Sequence, residues 1–207
     1  MTKPYDLRHK PCPEPVLTVK RLFTENPNLT HLSVMVSDEV NVNNLKRFAL
    51  NQNLNFKVEN QSDYYLLFFS KTNFKPILDH HNALSNLAKN EFDLIKSNTV
   101  IFITNDTLGT GEPEFSNTLM DLFLQSLETS EHIPRALLLI NRGVLLLSPD
   151  SSSSISLNAL QAKNIEILAC GLCLEYYKIK EFIPKDQITN MYNIIEMLMT
   201  SSKVIKL

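Results

Sequence analysis

Four glycines in 207 residues leave this backbone few freely turning positions, and all four, Gly109, Gly111, Gly143 and Gly171, lie in the second half of the chain. The first half has none. Its turns must rest on Asn, Asp and Pro, which reach turn geometry through side-chain hydrogen bonds or a fixed φ. A shift of this kind along one chain predicts two modules built from different turn chemistry.

The first module reads as βαβαββ. "YDLR" is a short strand, and Pro13 is expected to open a helix carrying Val16, Leu17, Val19, Leu22 and Phe23 near a 3.6 period. Asn26-Pro27 ends it. "HLSVMV" at 31–36 is a strand, and "SDEV" leads into a helix with Val42, Leu45, Phe48 and Ala49 on one face. "NFKVE" alternates as a strand, "NQSD" turns, and "YYLLFFS" is a buried strand. Two helices covering one face of a four-stranded sheet suit that order, giving a two-layer α/β sandwich. Residues 72–97 show no alternation and read as a linker with short helical turns, Leu78, Leu84, Leu87, Phe92 and Ile95 being its apolar positions.

The second module, 98–207, alternates strands and helices, the pattern of a mainly parallel α/β sheet. "TVIFITND" (99–106) is a buried strand, followed by the glycine loop "TLGTGEPE" and a helix over about 114–130. "RALLLI" is the next strand, with "GVLLL" as its apolar continuation. Ser154 is placed to cap the following helix. "IEILA" ends at Cys170, a last helix covers about 190–201, and "KVIKL" is the final strand. Ligands of such sheets gather at the carboxyl ends of the strands.

Composition excludes several classes. A hydrophobic content of 43% supports real cores. No run of 18 apolar residues occurs, so no membrane-spanning helix is expected. The net charge of −2 offers no basic excess for nucleic acid. Charge divides mildly, nine Lys/Arg against seven Asp/Glu in 1–71 and eight against twelve in 98–207. Ordinary solvated surfaces account for that imbalance. Three cysteines are an odd number for a disulfide framework, and "MTKPYDLRHK" lacks a hydrophobic signal region. A cytoplasmic, reducing location is the expectation.

Two sulfur sites carry the chemistry. In "DLRHKPCPEPVLTVKRL", Pro13 suits the first helical position and Cys12 then falls at the N-cap. A thiolate there faces the positive end of the helix dipole and the amides of Glu14 and Val16, Pro15 having none. Arg8 and Lys10 add positive charge. The plainer reading is a small hydrophobe beside a proline turn. The second site, "ILACGLCLEYY", sets Cys170 at a strand end and Cys173 in a short helix, with Gly171 permitting a tight turn. Four readings stay open. Zinc needs four ligands; there is no second C-x-x-C, and the pair His80-His81 is too generic to supply the remainder. A thioredoxin-like dithiol lacks its usual intervening aromatic or proline. A nucleophilic thiol holding a sulfur or selenium atom is the third, and simple packing the fourth.

"NDTLGTGEPEF" is neither G-x-x-x-x-G-K-[ST] nor G-x-G-x-x-G, and Glu112 and Glu114 would repel phosphate. It reads as a turn into a helix, with Gly109 lining the cleft near Cys170. Asn141 and Gly143, at another strand end, border the same pocket. No cofactor and no metal is called for.

The Cys-Pro-x-Pro stretch resembles the TusA/SirA-like sulfur-carrier family, and residues 4–71 fit that family's βαβαββ sandwich. "TNDTLGTGEPEFSNTLMDLFL", "LLINRGVLLL", "ILACGLCLEYY" and "ITNMYNI" resemble the DsrE/DsrF-like family. The two in this order are similar to the YedF group of sulfurtransferase-like proteins associated with selenium metabolism. The resemblance implies that Cys12 carries a persulfide and that Cys170 or Cys173 accepts or passes on the chalcogen. It also implies a cysteine desulfurase or similar donor, a downstream acceptor protein, and self-association through the second domain. Where the family has glycine after the Arg of D-x-R-G, this chain has His9. A Cβ-bearing residue is expected to avoid the glycine conformation there. Two other functions remain in view: a non-catalytic accessory protein of selenium metabolism, and a thiol–disulfide oxidoreductase using Cys170 and Cys173.

Overall fold

The computed structural model describes residues 4–71 and 98–207, which fall into two compact units. The proposed linker lies outside the described residues, as do His80 and His81.

The first unit runs β1 (Tyr5–Asp6), α1 (Glu14–Glu25), β2 (His31–Val36), α2 (Glu39–Asn51), β3 (Asn55–Asn60) and β4 (Tyr65–Ser70). Its sheet order is β1-β2-β4-β3, with β1 parallel to β2 and the other pairs antiparallel. Period-two alternation decides the faces. Leu32, Val34 and Val36 of β2 are buried, as are Phe69 and Leu67 of β4, which face Leu32 and Val34 across the ladder. Val16 and Val19 of α1 and Leu45, Phe48 and Ala49 of α2 are buried too, as the 3.6 period requires. Phe69 is the hinge of this packing: the rings of Phe23 and Phe56 meet it edge-on at 6.3 and 5.2 Å. Asp38 caps α2, accepting from the Asn41 amide at 2.8 Å.

The second unit runs β5 (Thr99–Ile103), α3 (Pro113–Thr129), β6 (Ala136–Leu139), a 3-10 helix (Asn141–Leu147), α4 (Ser153–Ala162), β7 (Glu166–Cys170), α5 (Gly171–Tyr176), β8 (Ile188–Thr189), α6 (Met191–Thr200) and β9 (Lys203–Lys206). All strand pairs are parallel, in the order β8-β7-β6-β5-β9. Every residue of β6 is buried. An unbroken apolar strand is what a parallel sheet covered on both faces demands. Val100, Ala136, Leu138, Leu168 and Cys170 pack with Ile194 and Met197 of α6.

Three local expectations change. "GVLLL" does not extend the strand; it winds into the 3-10 helix. A short apolar run has no period of its own to separate strand from helix. The strand expected over 99–106 stops at Ile103, because the chain turns into the loop there. Ser154 does not cap α4, since its hydroxyl donates to the Ser151 carbonyl at 2.7 Å. Ser152 stands at the N-cap without a side-chain cap bond. Its hydroxyl donates to Asp121 at 2.6 Å, and the Ser153 hydroxyl donates to the same carboxylate, tying α4 to α3.

Candidate functional site

Cys12 is exposed, in the loop between β1 and α1. The structure moves it one place from the expected cap. Helix α1 begins at Glu14 with Pro13 as N-cap, and the Cys12–Pro13 peptide is cis. The two amides offered to the sulfur are taken by backbone carbonyls: Glu14 N–H donates to Pro11 O at 2.8 Å and Val16 N–H to Pro13 O at 3.1 Å. Pro15 is buried under the helix, anchoring its first turn. The extra positive charge expected beside the thiol is also largely neutralised. Arg8 forks onto Asp6 at 2.9 and 2.6 Å, and Lys10 pairs with Glu14 at 3.1 Å. The Arg8 hydrogen bonds hold the Asp6 carboxyl down at about 2.

His9 overturns the expectation drawn from its Cβ. It takes φ = 60° and so adopts the left-handed conformation rather than avoiding it. Histidine is among the side chains that enter this region more readily than most. Its amide donates to the Ser37 hydroxyl at 3.0 Å, fixing the loop to the end of β2. With so few glycines, the fold places other residues in this region as well: Asn53, Asn141, Asn164 and Lys178 all have positive φ.

The second site sits where the carboxyl ends of β6 and β7 meet. Cys170 closes β7 and is 4% exposed; Cys173 is half-buried on α5. Cys170 is the N-cap of α5 and Cys173 its third residue, and that spacing turns a cap side chain toward the third residue. The thiols lie within hydrogen-bonding reach of each other. Asn141, just past β6, donates its backbone N–H to Cys173 Sγ at 3.2 Å. Burial pushes the Cys173 thiol up; the Asn141 amide opposes this, and the proximity of Cys170 adds to it. At rest, then, Cys173 is a guarded thiol.

Asn141 reaches its position through φ = 49°, and the Tyr177 hydroxyl donates to its Oδ1 at 3.1 Å. The next residue, Arg142, forks onto Asp106 at 2.8 and 2.6 Å, which ties the loop after β5 to this corner. Gly143 is a packing requirement: a Cβ there would stand 2.5 Å from the Ile103 carbonyl oxygen. Gly171 is likewise needed for close approach rather than for a turn, its missing Cβ lying 3.1 Å from Ile188 Cγ2. Gly109 takes φ = 85° in the same loop as Asp106. Among the expected residues, Asn141, Cys170 and Cys173 come together. Sequence reading missed Tyr177, Arg142 and Asp106. Position was the one signal for Arg142 and Asp106, since both follow a strand at its carboxyl end.

Among the described residues no group of His, Cys, Asp and Glu is arranged to hold a metal ion, and no helix is long and apolar enough to cross a membrane.

The fold and site define a two-unit α/β protein with one open thiol and one guarded thiol pair. Residues 3–71, which span β1 to β4 of the first unit, match the family described as Sulfurtransferase TusA. That match supports sulfur trafficking in general. No curated protein matches the chain. Among solved structures, the "Crystal structure of ychN protein from E.coli" is 16% identical with a TM-score of 0.38, covering 55% of this chain and 100% of that one. The "Structure of Conserved Protein of Unknown Function BT1422 from Bacteroides thetaiotaomicron" is 16% identical with a TM-score of 0.39, covering 53% and 95%. Neither likeness is strong enough to carry a functional argument.

Proposed function

We propose that this chain is a sulfurtransferase-like protein of sulfur or selenium trafficking, carrying a persulfide on Cys12 and exchanging it with the Cys170/Cys173 site. The observation that carries the reading is an exposed cysteine at the head of the first helix of the unit that matches the TusA family. An exposed thiol can meet the persulfide of a donor protein, and transfer is thiolate attack on a sulfane sulfur. The second thiol site supports the relay differently. The Asn141 amide that now touches Cys173 Sγ would also stabilise negative charge on a sulfur held there.

The second unit is read as a DsrE/DsrF-like domain, and the whole as a member of the YedF group, on sequence resemblance. The donor would be a cysteine desulfurase, with a downstream protein as acceptor. Self-association of the second unit belongs to the same reading, and sedimentation at several concentrations checks it. The test of function is to incubate the chain with a cysteine desulfurase and cysteine, then map added sulfur by mass spectrometry. Added sulfur on Cys12, lost in Cys12→Ser, is expected. A competent donor that leaves Cys12 unmodified contradicts the proposal.

A thiol–disulfide oxidoreductase is a second reading, favoured by the contact between Cys170 and Cys173. A redox titration with no reversible disulfide between them eliminates it.

A further inference from the structure

Cys170 is the deeper thiol of the second site, buried at the end of β7 and held against the sulfur of the more accessible Cys173. We propose that Cys170 is a resolving thiol, which discharges a persulfide on Cys173 as hydrosulfide and leaves a Cys170–Cys173 disulfide. This rests on the reading that Cys173 receives sulfane sulfur.

The geometry selects the sulfur that is attacked. Cys170 approaches Cys173 from the core side, as the N-cap residue facing the third residue of α5. The outer side of Cys173 is open enough for a sulfane sulfur to be delivered, because the residue is only half-buried. The atom within reach of Cys170 is therefore Cys173 Sγ, the inner sulfur of the persulfide. Which sulfur is attacked decides between passing the persulfide on and breaking it.

The step balances. Cys173–Sγ–S⁻ and Cys170–SγH give the Cys170–Cys173 disulfide and HS⁻. The bond between the two Sγ atoms forms, and the bond from Cys173 Sγ to the sulfane sulfur breaks. The electron pair leaves on the sulfane sulfur, which takes up the Cys170 proton. The sulfane sulfur is reduced and the thiol pair oxidised. A dithiol reductant then resets the site.

A second residue fits the same chemistry. Thr189 of β8 stands opposite Cys170 in the parallel register, so both side chains leave the sheet on the same face. Thr189 is 0% exposed, and its hydroxyl has no hydrogen-bond partner among the described residues. A buried hydroxyl without a partner is costly, and a role in the chemistry is one reason a fold keeps one. It is a donor placed beside the sulfur that must become a thiolate, which makes Thr189 a positioning residue for Cys170.

The test uses the full chain carrying Cys12→Ser, loaded with inorganic polysulfide and then desalted. This bypasses the desulfurase and Cys12, so failure of Cys12 to load in the earlier experiment leaves this test unaffected. The expected result is hydrosulfide release together with a Cys170–Cys173 disulfide by peptide mass spectrometry. Cys170→Ala keeps the persulfide on Cys173 and releases hydrosulfide only at background. Thr189→Val slows release roughly ten- to a hundredfold, the loss of one hydrogen bond to a charged group. Thr189→Ser restores it. The proposal is overturned if Cys173 takes up no sulfur. It is equally overturned if the Cys12→Ser chain forms no disulfide, or keeps its Cys173 persulfide as long as Cys170→Ala does. The disulfide is read without mutating the core, so a poorly folded Cys170→Ala leaves the test decisive.

Discussion

The two thiol regions solve opposite problems. Cys12 stands exposed in a loop whose neighbouring charges, Arg8 and Lys10, are already paired with Asp6 and Glu14. Cys173 is packed against an apolar core, touched by one backbone amide and one buried thiol. An exposed sulfur suits encounters with other proteins. A sheltered one suits chemistry that water and stray thiols would spoil. The difference teaches that thiols in one chain need not share a role. Access decides the role of the first, and the groups packed around the second decide what it does.

The largest break in the comparison is Cys12→Ser, which is expected to reduce desulfurase-dependent labelling of position 12 to background. Direct polysulfide loading of Cys173 should continue. Gly143→Ala attacks the other region. Its new Cβ meets the Ile103 carbonyl oxygen at 2.5 Å, so the variant should lose roughly 1–3 kcal/mol of stability. Thermal or denaturant unfolding measures it, and an unchanged midpoint would contradict the packing argument.

Those residues also show what the sequence could and could not reveal. Alternating apolar residues in β2 and β4 and the unbroken run in β6 made the sheets legible, because period reports burial directly. Cys170, Cys173 and Asn141 were legible as candidates because strand ends in parallel sheets face ligands. The need for Gly143 was not, since a close approach to Ile103 depends on a residue 40 positions away. The Arg142–Asp106 fork joins two loops for the same reason. Cys12 lies one residue farther from the helix than the sequence pattern predicts, because Pro13 fits the N-cap as well as the first helical position. The left-handed φ of His9 is not legible because sequence reports what such a position disfavours, not what a hydrogen bond to Ser37 holds there.

Smaller effects sharpen the contrast. Alkylation of Cys173 should accelerate only above the ordinary thiol range, because burial raises its titration. A pH–rate profile for Cys173, read by peptide mass spectrometry, checks this; a midpoint at or below the ordinary thiol value contradicts it. His9→Gly should stabilise the chain by roughly 0.5–1 kcal/mol, relief of the left-handed Cβ exceeding the entropy that glycine loses. Equal or lower stability would show that the His9 side chain contributes more than the structure assigns to it.

The smallest effect is a pH dependence at Asp6. Its carboxyl titrates lower in the folded chain than its ordinary value of 3.8, at about 2. A depressed carboxylate contributes stability that is present above the ordinary value and lost as pH falls through the folded one. The Asp6–Arg8 fork should therefore open between about pH 4 and pH 2, visible as chemical-shift changes at Arg8 and His9. A loop unchanged through that window contradicts the assignment.

The relay itself is tested most directly by a time course in the Cys170→Ala chain, where sulfur delivered to Cys173 is retained. The chain is charged from a cysteine desulfurase and sampled by peptide mass spectrometry. The account predicts added sulfur first on Cys12 and later on Cys173, with both signals abolished by Cys12→Ser. Sulfur arriving on Cys173 at the same rate without Cys12, or never arriving on Cys12, contradicts it.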